Sequence, residues 1–274
     1  MSPVVFAALL PHAPVLIPSV SRGRAQRVRS TLSAVREVAR RLAATRADTL
    51  VVISPHSPRK SEMLGIWSTE RLRGTLASFG ASEEGVDFQN DAALAEQIAY
   101  QADRRGVRTT AIRDSALDHG AIVPLWFAAE AGWDRPVAVT GLSDNEHFKT
   151  VEFGAAIAEA AAKDGRHLAI IASGDMSHRL TPEAPCGFDE RGVRFDKWLM
   201  GTLRRGRCHE LLDFDADLTE AAAEDALDSI LIALGATEFK ARGSEVLSYE
   251  GPFGVGYGVA VLYSEVFEEP CSMR

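Results

Sequence analysis

Seven histidines are present in this 274-residue chain, and three of them share a setting that suits metal binding or proton transfer. His12, His56 and His178 each follow a short apolar run and sit among proline, glycine and serine: Pro11 to Pro14, Ser54 to Pro58, and Ser173 to His178. A fourth, His119, stands at the entry to an apolar stretch, within Leu117 to Leu125. A lone loop histidine usually caps a backbone group. Three in equivalent places suggest one site assembled from distant segments. Imidazole suits zinc, iron, copper or nickel, and two histidines with one carboxylate and open positions is the arrangement of non-haem Fe(II) oxygenases or of zinc hydrolases. Carboxylates concentrate in Asp213 to Asp228, where Glu224 and Asp228 have the spacing of neighbours on one helical face. His147, His167 and His209 lie among charged neighbours and read as background.

The elements that must position these residues follow from periodicity. Val4 to Leu10, Thr49 to Ile53 and His167 to Ala172 are short apolar runs that end in loops, the pattern of buried strands. Between the first two, Arg22 to Thr45 repeats apolar residues at helical spacing with arginines opposite. Strand, helix, strand implies a βαβ unit and a parallel sheet. Further strands are expected at 63–67, 72–79, 107–112, 137–140, 244–249 and 254–263. Helices are expected near 91–104, 122–131, 152–163, 189–204 and 219–234. The reading is a single α/β domain over residues 1–274, with a central, mostly parallel sheet flanked by helices. Its C-terminal strand ends would gather the histidine loops along one edge.

Other readings are weaker. Gly251 to Gly258 is rich in glycine but is followed by a strand pattern, whereas a dinucleotide loop opens a helix. Ser173 and Ser177 lack the G-x-S-x-G setting of a hydrolase nucleophile. With 30 Lys and Arg against 38 Asp and Glu, the net charge of -8 argues against a nucleic-acid partner. Three dispersed cysteines, Cys186, Cys208 and Cys271, fit a reducing compartment, so the chain is read as cytoplasmic. A signal peptide and a membrane span are not expected, because Val4 to Leu10 lacks a basic leader and no apolar run approaches ~18 residues.

Taken in order, Pro11 to Pro14, Ser54 to Pro58, Leu117 to Leu125 and Ser173 to His178 resemble the successive signatures of the catalytic B subunit of class III extradiol ring-cleavage dioxygenases. The resemblance implies that His12, His56 and a glutamate bind Fe(II). Glu224 is the best match for that glutamate, with Asp225 and Asp228 as alternatives. It also implies that His178 is the acid–base histidine and His119 a second active-site histidine. The implied substrates are a catechol-type aromatic diol and O2. Some members need a small companion subunit, which this chain does not itself imply, and homo-oligomerisation is compatible with the sequence. The chain is also similar to Memo-like proteins, through Leu247 to Pro252, which implies the alternative of a metal-binding or redox protein without ring cleavage. Trp67, Phe88, Trp126 and Phe127 are candidates for lining a substrate pocket, with core packing the more ordinary fate of an aromatic side chain.

Overall fold

A computed structural model describes residues 2–113, 115–144, 147 and 149–265; Cys271 lies outside the described residues. Four parallel strands form the middle of an eight-stranded sheet: β7 (Val137–Gly141), β2 (Thr49–Ser54), β8 (Leu168–Ser173) and β1 (Val4–Leu10). Beyond β7 lie β3 (Leu64–Trp67), antiparallel to it, and β6 (Thr109–Ile112); beyond β1 lie β10 (Tyr257–Ser264) and β9 (Glu245–Glu250), each antiparallel to the preceding strand. The sheet is mostly parallel and flanked by helices, as the strand–helix–strand order requires.

Both faces of the central strands are covered, which explains why their sequences are unbroken apolar runs. Along β8, Leu168, Ile170 and Ala172 enter one core, while Ala169 and Ile171 enter the other. The first core is closed by α3 (Ala92–Arg104), α5 (Thr150–Lys163), α6 (Glu190–Arg204) and α8 (Leu227–Ala236). The second is closed by α1 (Pro18–Ser21), α2 (Arg29–Ala43), α4 (His119–Glu130) and a separate hairpin of β4 (Arg71–Leu76) with β5 (Ala81–Gln89). No helix among the described residues is long and apolar enough to cross a membrane.

Two departures from the sequence expectation matter for function. The helix expected from Arg22 starts at Arg29: Arg22 and Gly23 take left-handed φ angles of 46° and 86°, Arg24–Val28 form a 3-10 helix, and Val28, with φ -122° and ψ 27°, separates it from α2. The single helix expected over 219–234 is two: α7 (Ala216–Ala222) ends at Ala223, which has φ 50°, and α8 begins at Leu227. Glu224 and Asp225 therefore sit in a bend between helices rather than on a helical face.

Candidate metal centre

The parallel register brings the histidine loops together. Leu10 pairs with Ser173 and Ile53 with Ala172, so β1, β8 and β2 end side by side and release His12, Asp175 and His56 at one sheet edge. Asp118 adds the fourth segment. Its carboxylate caps α4 through the amide of Ala121 at 3.2 Å and accepts the hydroxyls of Ser54 at 2.5 Å and Ser57 at 2.9 Å. One aspartate thereby starts the helix that carries His119 and ties down both flanks of His56.

His12 is held in a defined tautomer by an arrangement that begins with a proline. Pro124 lies inside α4 and has no N–H for the carbonyl of Gly120, four residues earlier. That carbonyl instead accepts the hydroxyl of Ser173 at 2.6 Å, and Ser173 Oγ stands 3.1 Å from His12 Nδ1. With its own proton committed to Gly120, the serine oxygen accepts from Nδ1–H. In the neutral ring that a metal would bind, the lone pair of His12 is then on Nε2, the pattern of metal-binding histidines whose other nitrogen is anchored by a neighbour.

His12 Nε2 lies 3.0 Å from His56 Nε2. Asp225 Oδ2 lies 3.5 Å from the first and 3.2 Å from the second. Ligands about 2.1 Å from one ion, at tetrahedral to right angles, stand roughly 3.0–3.4 Å apart, so these three atoms have the separations of donors sharing an ion. His119 completes the surroundings: one nitrogen each from His12, His56 and His119 falls within 4.8 Å of the others. Its ring stacks on His56, with centroids 4.3 Å apart and planes at 25°, and meets Phe79 at 5.2 Å.

Asp225 is fixed from behind. Its Oδ1 accepts the amide of Asp175 at 2.7 Å, its own amide donates to the Asp175 carbonyl at 3.2 Å, and Asp175 Oδ1 accepts the amide of His12 at 3.0 Å. The two loops approach so closely that a Cβ on Gly174 would lie 2.3 Å from Ala226 Cα, which only glycine allows. The neighbouring Glu224 is turned elsewhere: its Oε2 accepts the amides of Ala226 at 2.6 Å and Leu227 at 2.8 Å, at the start of α8. Asp228 is held by His147, through the backbone amide at 3.0 Å and Nδ1 at 2.6 Å. Of the three acids considered from sequence, Asp225 is the one beside the histidines.

The field in the site favours a cation. Burial works to lower the pKa of His12, but Asp175, Asp225 and Asp118 outweigh it and push it up to about 9. Burial works to raise Asp225, yet His12 and His56 hold it well below the usual carboxylate range. Burial drives Glu224 up to about 8, helped by the charges of Asp225 and Asp228, while the two amides oppose. His119 is lowered to about 4 by burial and by His12 and His56, so it is neutral at ordinary pH. A divalent ion fits this donor set: two imidazole nitrogens and an ionised carboxylate, with a proton on His12 supplying the positive charge in the metal-free state.

His178 stands on the adjacent loop. Its Nδ1 donates to the carbonyl of Ala223 at 2.8 Å and its amide to Ala222 at 3.0 Å, which leaves Nε2 with the lone pair. The structure thus gathers His12, His56 and His119 into one cluster and bonds His178 to the bend that carries Glu224 and Asp225. The three background histidines lie in other settings: His147 on Asp228, His167 3.6 Å from Asp48, and His209 stacked on Phe239. Trp67, Phe88 and Phe127 are buried in the core, and Trp126 is tied to Glu84 through its indole N–H. Sequence reasoning missed Asp118, Asp175 and Phe79. The aspartates were within the quoted motifs, but nothing in the chain says that a carboxylate will bond another loop.

Comparison with known proteins gives the family and the fold. The chain is 29% identical over 266 residues to Protein CA_C1420 of Clostridium acetobutylicum, a match that takes in 93% of this chain and 56% of that protein. It therefore spans just over half of that relative's length. The fold is similar to the crystal structure of the uncharacterized protein JW3007 from Escherichia coli K12, with TM-score 0.61, 16% identity, and coverage of 94% of this chain and 100% of that one. Residues 6–260, which include every loop described above, match the family of the catalytic LigB subunit of aromatic ring-opening dioxygenase, and the chain belongs to that family.

Proposed function

We propose that this protein is a non-haem Fe(II) extradiol dioxygenase that opens the ring of a catechol-type diol with O2. The observation that carries the reading is the convergence of His12 Nε2, His56 Nε2 and Asp225 Oδ2 at separations of 3.0 to 3.5 Å. Asp225, rather than Glu224, is the carboxylate of the proposed set, because Glu224 is committed to α8. Iron(II) bound there supplies the electron-transfer chemistry that lets triplet O2 react with an aromatic diol.

The chain's own residues supply binding and proton handling. With Nδ1–H fixed on Ala223, His178 offers Nε2 as acceptor for a diol hydroxyl proton, and it returns that proton as the ring opens. His119, kept neutral by burial and by its histidine neighbours, provides a second hydrogen-bonding group against the same substrate. Phe79, 38% exposed beside His119, offers an apolar face to an aromatic ring. The diol and O2 combine without other reactants, and both oxygen atoms end in the muconic semialdehyde product.

The test is oxygen uptake by protein loaded anaerobically with Fe(II) and mixed with a panel of catechols. Substrate-dependent uptake with a yellow product is expected. Full iron occupancy without turnover of any catechol contradicts the reading. His119 favours one alternative, since three imidazoles suit zinc or copper; that is a Memo-like metal-binding or redox role, in which the loaded protein shows no diol-dependent uptake.

A further inference from the structure

A buried carboxylate on α6 has no part in the chemistry above. Asp196 is 1% exposed, yet both of its oxygens are occupied. Oδ1 accepts the amide of Ser177 at 2.9 Å, and Oδ2 accepts the hydroxyl of Tyr249 at 2.5 Å. The first partner is the residue immediately before His178. The second comes from β9, the edge strand of the sheet. Space is cleared for the acid as well, since a Cβ on Gly256 would stand 2.1 Å from Oδ2. Burying an ionisable group is unfavourable against an apolar side chain of similar volume, so packing alone does not account for an aspartate here.

Asp196 is one of several anchors on the His178 loop. Ser177 Oγ also donates to the Ala222 carbonyl at 3.0 Å and accepts the Arg179 amide at 3.1 Å. The His178 amide and ring bond Ala222 and Ala223, as described above. Met176 and Ser177 are tied to Gly256 in addition, by bonds of 2.8 and 2.9 Å. Residues 176–179 are thus set between α6, the start of β10 and the bend after α7. Asp196 is the side chain through which α6 bonds that loop, at the amide of Ser177.

We infer that Asp196 is the positioning residue for His178, with Tyr249 holding its carboxylate in place. Its catalytic consequence rests on the reading of His178 as the proton-handling group; the placement itself does not. The experiment follows hydrogen exchange of the His178 ring Nδ1–H by nuclear magnetic resonance in the full chain. Exchange is expected to be slow in the wild type and about tenfold or more faster in Asp196→Ala. Asp196→Asn, which keeps an oxygen for the Ser177 amide, is expected to restore slow exchange. The Trp133 indole N–H, bonded to the Arg135 carbonyl at 2.9 Å, serves as the control and should not change. Unaltered exchange at His178 in Asp196→Ala overturns the inference, as does equal acceleration at Trp133, which would mean general loosening. If Asp196→Ala does not fold, Tyr249→Phe removes only the hydroxyl donor; faster exchange at His178 alone supports the inference and unchanged exchange overturns it. Where diol turnover is measurable, kcat should fall in Asp196→Ala with KM nearly constant. Absence of wild-type turnover would count against ring cleavage and leave the exchange result standing.

Discussion

Ser173 shows how much of the site depends on one hydroxyl. It donates its hydroxyl to the Gly120 carbonyl and accepts Nδ1–H of His12, and so holds Nε2 of that ring toward His56 and Asp225. Removing such an anchor typically costs 10- to 100-fold in metal affinity. Ser173→Ala is expected to weaken Fe(II) binding by about that factor in an anaerobic competition titration, with the fold retained. Unchanged affinity would mean that the tautomer of His12 is fixed by something else. At this scale the sequence was partly legible. His12, His56 and His119 could be picked out because each sits where an apolar run gives way to a loop or a helix entry. The resemblance selected Glu224 over Asp225 and Asp228, whereas the structure sets Asp225 beside the histidines, because the outcome depends on which acid Asp175 and His147 reach from other parts of the chain.

Among the elements, the bend between α7 and α8 matters most. Its sequence, Ala221 to Leu227, carries no proline or glycine and reads as continuous helix. Tertiary contacts interrupt it: the Asp175 loop takes the amide and the carboxylate of Asp225, and Ala223 adopts a left-handed conformation to allow this. Such a φ disfavours any residue with a Cβ, so the break is imposed by the site rather than by local propensity. Glu224 then serves the new helix start, accepting two amides that would otherwise lack partners. Glu224→Ala is expected to lower stability by about 1 kcal/mol in denaturant titration while leaving metal stoichiometry unchanged. Loss of the metal would return Glu224 to the ligand set. Strand β5 was hidden for a different reason. Its stretch Ser82 to Asp87 is half charged and has no buried residue, so no apolar period marks it. The central strands were legible because a parallel sheet covered on both faces demands unbroken apolar runs.

For the whole molecule, stability should depend on pH through the same acid that positions His178. Burial pushes Asp196 up from 3.8 to about 6, against the opposing effects of Tyr249, Ser177 and His178. A carboxyl whose folded pKa is raised favours the folded state while protonated. Its contribution is complete below pH 3.8 and is lost as pH rises through about 6. The shift corresponds to on the order of 3 kcal/mol. Asp196→Asn has no such titration, so its stability relative to the wild type should rise by a few kcal/mol between about pH 4 and pH 7 in urea unfolding. A constant difference between the two proteins across that range would contradict the assignment. The proposed activity requires His12, His56 and Asp225 to bind one metal ion together. Crystals loaded anaerobically with Fe(II) and measured at the iron absorption edge test it most directly. The expected result is a single anomalous peak about 2.0–2.3 Å from His12 Nε2, His56 Nε2 and a carboxylate oxygen of Asp225. A peak bound by Glu224 in place of Asp225, or no peak between the two histidines at full loading, would contradict it.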